Sequence, residues 1–443
     1  MTGIRARIVR LLPKGRFLRR FTMLSGGQVL AQLLVLASSP ILTRVYTPAE
    51  FGVYGVFTAL TGILGNVLSL RYETAVPLAR TGREAAGLVT LSVLLTVVFS
   101  ALCVPAVWLG GARLASLTGM PALASLLWVL PPTIIALGTA QVLSYWTVYR
   151  GTFRLNAASR LGQGAAQVGL QIGLGAAGLG AAGLVLGYGL AYVTRAVHFL
   201  AMMARPDRAL FRDPDLAAIA GLARTHRRYA FYSAPATLLE ASTQLLPALL
   251  LAVIYGPVVA GLFSLGQRLM GLPVRLVAQA ASQVFLGEVA QRDRGGLYRL
   301  FKRATLRFPV LGLVGMVPLL LTAPALFAFV FGEPWRPAGG MVQALVPLYL
   351  TRFVVTPVSQ TLNVLGRQNL HLLSSSVDAA LMLTCFGAAW WLVLAPLETV
   401  LLFSLGSTLA YVLYFALAWR AARDQADAAS ASAAPHDKES LLG

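Results

Sequence analysis

Glu240, Arg268, Arg275, Arg352 and Asp378 all stand inside apolar runs long enough to cross a bilayer. Arg268 and Arg275 are seven apart within the run 258–287, which places them two turns apart on one face of a helix. Ser264, Gln279 and Ser282 fall on or near that face. A charge at the bilayer centre costs about 2.5–3.5 kcal/mol on insertion scales, so five facing lipid would cost roughly 12–18 kcal/mol. That exceeds the typical stability of a whole domain, about 5–15 kcal/mol. These groups must therefore be hydrated or paired. Mutual pairing is one solution, Glu240 with Arg268 or Arg275 and Asp378 with Arg352. The other is contact with a substrate or a coupling proton. Bases outnumber acids in the set, leaving positive charge for an anion, and the planar fork of arginine suits phosphate.

Further polar residues recur at helical spacing around these charges. Ser233, Thr237, Glu240 and Gln244 follow i, i+4, i+7, i+11, and Arg352, Thr356, Ser359 and Asn363 repeat that spacing. His371, Ser374 and Asp378 form a third stripe, and Ser25, Gln28 and Gln32 a fourth. One polar residue in a membrane helix commonly serves helix packing, whereas four in register describe a face. A cavity between two halves of the chain accounts for the stripes together, with Gln28, Gln32, Asn66, Gln244, Thr356 and Asn363 as its neutral lining. Arg195, eight residues from the end of its apolar run, has the reach to snorkel to the membrane surface. No Gly-rich phosphate loop, zinc-ligand spacing or GxSxG elbow is present, so neither enzymatic activity nor a cofactor is expected. Cys103 and Cys385 lie in apolar runs and suggest no disulfide framework or metal site.

The elements that must hold these residues are membrane helices. The chain has 443 residues, is 57% hydrophobic and has a mean hydropathy of +0.72, which marks a polytopic membrane protein. Hydropathy predicts twelve spans near 21–43, 51–78, 85–109, 122–149, 157–177, 183–203, 231–253, 258–287, 307–331, 338–365, 369–394 and 397–419. The net charge of +20 reflects topology, not nucleic-acid binding. Of the 36 basic residues, 29 fall at the termini and in even-numbered loops and only Arg44, Arg113 and Arg336 in odd-numbered ones. The positive-inside rule then makes both termini cytoplasmic. The expected layout is a basic N-terminus (1–20), an N-lobe of six spans (21–203), a cytoplasmic linker (204–230), a C-lobe of six spans (231–419) and a disordered tail (420–443). The fold class is an all-α polytopic membrane protein of about twelve helices in two six-helix bundles around a central cavity.

An internal repeat supports the two-bundle layout. Tyr46, Pro48, Gly52 and Tyr54 recur as Tyr255, Pro257, Gly261 and Phe263, 209 residues later. Six spans separate the copies, as in parallel repeats related by an axis along the membrane normal. A local role is also available. Thr47 can cap the second helix, Pro48 suits its first position, and Glu50 completes a capping box. The same shift places Ala59 and Asn66 opposite Arg268 and Arg275, so a cationic site is expected to be carried mainly by the second half. It also places Glu73 opposite Ser282, with Arg71 beside it.

The stretch Ser38-Ser39-Pro40-Ile41-Leu42-Thr43-Arg44-Val45-Tyr46-Thr47-Pro48-Ala49-Glu50-Phe51-Gly52-Val53-Tyr54, followed by Leu70-Arg71-Tyr72-Glu73-Thr74-Ala75-Val76-Pro77-Leu78, resembles the opening of bacterial polysaccharide flippases of the Wzx type. These belong to the polysaccharide transporter branch of the multidrug/oligosaccharidyl-lipid/polysaccharide exporter superfamily. The resemblance implies a flippase of undecaprenyl-diphosphate-linked oligosaccharide, such as an O-antigen repeat unit, in the bacterial inner membrane. It implies alternating access and coupling to an ion gradient. Arg268 and Arg275, with Arg352 and Arg71, would hold the diphosphate; Glu240, Asp378 and Glu73 would couple an ion or pair charges. The partners are the lipid-linked substrate, membrane lipids and proteins of polysaccharide assembly, with a monomer as the working unit. A cation-coupled multidrug exporter of the same fold, or a non-transport scaffold of the assembly complex, are the alternatives. An exporter of cationic drugs favours an acidic cavity, against the positive balance here.

Overall fold

The computed structural model describes residues 16–203, 208–211, 215–290, 294–364 and 368–432, and these contain helices and turns but no strand. The helices are α1 (Arg16–Ala37), α2 (Ser39–Val45), α3 (Pro48–Gly65), α4 (Gly82–Leu117), α5 (Pro121–Leu126), α6 (Leu130–Tyr149), α7 (Phe153–Ala176), α8 (Ala181–Met203), α9 (Leu216–Thr225), α10 (Ala234–Tyr255), α11 (Pro257–Ala290), α12 (Arg294–Phe331), α13 (Arg336–Val364), α14 (Gln368–Trp391) and α15 (Pro396–Ser432). Among the described residues nine helical segments are long and apolar enough to cross a membrane. The expected second and fifth spans are helical but do not meet that measure: the second is cut short, and the fifth carries Asn156, Arg160, Gln163 and Gln167. Much of the expected eighth span lies outside the described side chains.

The chain divides into two compact units. One comprises 1–45, 64–115 and 121–235; the other comprises 46–63, 116–120 and 236–443. In the first unit small residues let helix backbones approach closely. A Cβ on Gly27 would lie 2.6 Å from the Ala157 Cβ, and one on Gly187 would lie 2.7 Å from the Gln171 side chain. Within the expected linker a helix forms over Leu216–Thr225. Asp215 caps α9 through Ala217 N and Ala218 N at 2.9 and 3.2 Å, and Ile219 packs with Tyr72 and Leu91.

In the second unit the repeated motif turns out to be a helix crossing. Thr47 and Glu50 form the expected capping box, Thr47 N donating to Glu50 Oε2 at 2.7 Å and Glu50 N to Thr47 Oγ1 at 3.3 Å. The two copies also meet. A Cβ on Gly52 would lie 2.0 Å from the Pro257 carbonyl oxygen, and a Cβ on Gly261 would lie 1.8 Å from the Pro48 carbonyl oxygen. Each repeat's glycine therefore receives the other repeat's proline carbonyl, and only glycine leaves room. Ser264, placed near the polar stripe by its sequence position, packs here instead, 2.2 Å from where a Gly55 Cβ would be. Gly52→Ala and Gly261→Ala should each lower the thermal midpoint of the solubilised protein, at about 1–3 kcal/mol of overpacking. Gly26→Ala, which meets nothing within 4 Å, should not.

Three expected boundaries change. The second span does not run to residue 78: α3 ends at Gly65, Leu70 and Arg71 take left-handed φ values of 48° and 65°, and a 3-10 segment follows over Tyr72–Leu78. Left-handed residues cannot continue a right-handed helix. With the helix broken, the shift of 209 no longer relates Glu73 to position 282. The tail also differs, because α15 continues to Ser432 through an Ala-rich stretch of high helix propensity. The first span begins at Arg16, inside the segment expected to be a basic terminus.

Candidate functional site

Polar groups gather separately inside each unit. In the second unit Arg352 on α13 and Asp378 on α14 are each 7% exposed. The Arg352 guanidinium carbon lies 5.7 Å from the Tyr349 ring centroid and 5.1 Å from that of Tyr411 on α15, both within cation–π reach. Asp378 is the carboxylate whose charge acts on Arg352, and Thr243 of α10 and Ser407 of α15 lie beside it. The pair forms no contact within ion-pair distance, and Arg352 Nε and Nη2 and Asp378 Oδ1 are buried without a hydrogen-bond partner among the described residues. Arg352 is therefore held by the two aromatic rings and by a hydrogen bond to the Tyr411 hydroxyl, and the acid compensates its charge from a distance.

The other residues read from the sequence in this unit are placed as follows. Arg268 is half-buried on α11. Glu240 is exposed on α10 and makes no ion pair among the described residues, so it is not the partner of Arg268. Gln244 is exposed, and its carbonyl oxygen accepts from Gln267 Nε2 at 2.6 Å. Thr356 spends its hydroxyl on the Arg352 carbonyl, 2.6 Å away in the preceding turn, as threonines in helices commonly do. The side chains of Arg275 and Asn363 lie outside the described residues.

The first unit contains the denser network. Glu73 is wholly buried and accepts from Ser69 Oγ and from Gln141 Nε2, the latter at 3.3 Å, with Arg71 Nη1 3.6 Å away. Arg71 is also hydrogen-bonded to the Tyr145 hydroxyl. The break after α3 puts these groups together, since the left-handed pair Leu70–Arg71 turns Arg71 and Glu73 toward α6. Non-glycine residues in that region cost about 1–3 kcal/mol each and persist where surrounding contacts fix them.

Beside this network α6, α7 and α8 bring two more arginines inward. Arg195 on α8 is 6% exposed, donating from Nη2 to Ser144 Oγ at 2.5 Å and from Nη1 to Gln163 Oε1 at 3.2 Å. It does not reach the surface, as its position in the span had suggested, because α6 and α7 supply polar acceptors inside the bundle. Arg160 Nε donates to Asn156 Oδ1 at 3.2 Å, and Asn156 Nδ2 donates to Thr147 Oγ1 at 3.0 Å and to the Ser144 carbonyl at 3.3 Å. Asn156 thereby ties the start of α7 to the last turns of α6. Cationic groups are not confined to the second half, since Arg71, Arg160 and Arg195 all lie in the first unit. A signal was present: Asn156, Arg160, Gln163 and Gln167 follow i, i+4, i+7, i+11, the spacing noted on the seventh and tenth spans. Gln28 and Gln32 are half-buried on α1, and Gln32 Oε1 has no partner among the described residues. Asn66 is half-buried at the start of the break.

The overall architecture has solved counterparts. It matches the lipid II flippase MurJ in an inward closed conformation with a TM-score of 0.70 at 12% identity, over 91% of this chain and 89% of that one. A MOP superfamily transporter from Pyrococcus furiosus, described as having a binding pocket of reversed polarity, gives 0.62 at 13% identity over 93% and 94%. A MATE transporter in complex with MaD3S gives 0.60 at 16% identity over 92% and 96%. These likenesses define the class, a multi-pass membrane protein with the all-α, two-bundle fold of MOP superfamily transporters. A search of the curated proteins finds no match to the sequence. Residues 41–339, more than half of the chain, match the family described as "Polysaccharide biosynthesis protein", and the chain belongs to that family.

Proposed function

We propose that this protein is a flippase that moves undecaprenyl-diphosphate-linked oligosaccharide from the cytoplasmic to the periplasmic leaflet of a bacterial inner membrane. The observation that carries the reading is family membership over 41–339 in a chain whose membrane helices hold several arginines. Arg268 and Arg275, with Arg352 and Arg71, hold the diphosphate. Bidentate guanidinium–phosphate contacts are the chemistry best matched to those side chains. Glu240, exposed and free of ion pairs among the described residues, is the better candidate for coupling to an ion gradient. Asp378 compensates the charge of Arg352, and Glu73 that of Arg71.

Transport proceeds by alternating access with both termini cytoplasmic, a topology supported by the 29-to-3 distribution of basic residues. The test is inactivation in the native host. Lipid-linked repeat units should accumulate while surface polysaccharide disappears, and the wild-type chain should reverse both effects. Unchanged polysaccharide, together with drug sensitivity cured by the chain, would replace this reading with that of a multidrug exporter.

A further inference from the structure

We propose that the first unit contains a phosphate-binding site of its own, formed by Arg160 and Arg195 at the corner between α6, α7 and α8. The two guanidinium groups are linked through a continuous set of contacts. Arg195 binds Ser144 Oγ, Asn156 binds the Ser144 carbonyl, and Arg160 binds Asn156. They are close enough for their charges to repel one another. Among the described residues, every hydrogen-bond partner they have is neutral. Among the described residues neither forms an ion pair, whereas Arg71 has Glu73. Arg195, more than nine-tenths buried, keeps its Nε without an acceptor.

Two uncompensated cations inside a membrane bundle are costly, and an anion between them removes the cost. Two charges call for a dianion, and the forked donors of arginine match tetrahedral oxyanions. Tyr192, which lies near both arginines, and Gln163 supply further donors at the same corner. Arg195 also lies over an aromatic ring, that of Phe199 at 5.5 Å, so the site differs from that of Arg352 in its acid: Asp378 acts on Arg352, and no carboxylate pairs with Arg160 or Arg195 among the described residues. The inference rests on the flippase reading only for the source of the phosphate, the diphosphate of the lipid-linked substrate.

The experiment is binding to the full chain in nanodiscs, with inorganic pyrophosphate and a short-chain isoprenyl diphosphate as the two probes. Wild-type protein should bind, and Arg160→Gln and Arg195→Gln should each weaken binding by about tenfold or more, the loss of one good charge-assisted contact. Arg195→Lys, which keeps charge but not the fork, should fall between. Binding of the isoprenyl probe alone identifies a lipid headgroup as the source; equal binding of both probes identifies phosphate itself. Arg160, half-buried and reached from the surface, provides the test should Arg195→Gln not fold. Wild-type affinity for both probes in the Arg160→Gln protein, or no binding by the wild type, would overturn the proposal. If Arg268→Gln abolishes binding while the Arg160 and Arg195 variants do not, the flippase reading stands and the first-unit site falls.

Discussion

Glu73→Ala should be among the most destabilising single substitutions in this protein. The wholly buried carboxylate accepts from Ser69 and Gln141 and lies 3.6 Å from Arg71. Its removal leaves a hydroxyl, an amide and a guanidinium without their acceptor. Each unmet buried partner costs about 1–3 kcal/mol, and Arg71, being partly exposed, recovers some of its share from solvent. A net loss of roughly 3 kcal/mol follows. A second effect adds to it, because the same network holds Leu70 and Arg71 in left-handed backbone. Glu73→Gln keeps most of the hydrogen bonding and should cost about 1 kcal/mol. Thermal unfolding of detergent-solubilised protein, monitored by tryptophan fluorescence, measures both. An unchanged midpoint for Glu73→Ala would mean that the break after α3 is held by something other than this carboxylate.

The largest functional effect is expected from Arg268→Ala combined with Arg275→Ala. Both residues lie on α11, seven apart, and the reading above assigns them to the diphosphate. Loss of even one charge-assisted, bidentate contact costs about 1.5–3 kcal/mol, so loss of both should reduce transport by about two orders of magnitude or more. Surface polysaccharide should vanish while the variant is inserted at wild-type levels, because removing intramembrane charge eases insertion. Immunoblotting of the polysaccharide beside quantification of the protein in membranes separates the two effects. Wild-type polysaccharide in the double variant would remove the diphosphate from α11. Pairwise replacement of Arg352 and Asp378 by apolar residues discriminates further, since a scaffold would tolerate it and a transporter would not.

Much of the fold was legible in the sequence for local reasons. Apolar length marked the spans, and Thr47–Pro48–Glu50 announced its own capping box. The recurrence of Pro and Gly at 48 and 52 and at 257 and 261 was also visible. Its purpose was not, because a contact between Gly52 and the Pro257 carbonyl belongs to tertiary structure. The break after Gly65 escaped notice because 66–71 holds neither glycine nor proline, and the left-handed residues are Leu70 and Arg71. Glu73, which follows the left-handed pair, takes its partner Gln141 from 68 residues away. Arg195 was misjudged for the same reason, since reach toward the surface is a property of one helix and Ser144 and Gln163 belong to two others. Arg160 lies close to the hydropathy boundary of its span, whereas α7 already begins at Phe153.

The central claim is transbilayer movement of a diphosphate-linked oligosaccharide, and reconstitution tests it most directly. Purified protein in liposomes containing undecaprenyl-diphosphate-linked repeat unit, with an ion gradient imposed, should make inner-leaflet substrate accessible to a glycan-cleaving enzyme added outside. The double α11 variant should leave that fraction protected. Protection of the inner leaflet in wild-type liposomes, equal to that of protein-free ones under every imposed gradient, would contradict the account.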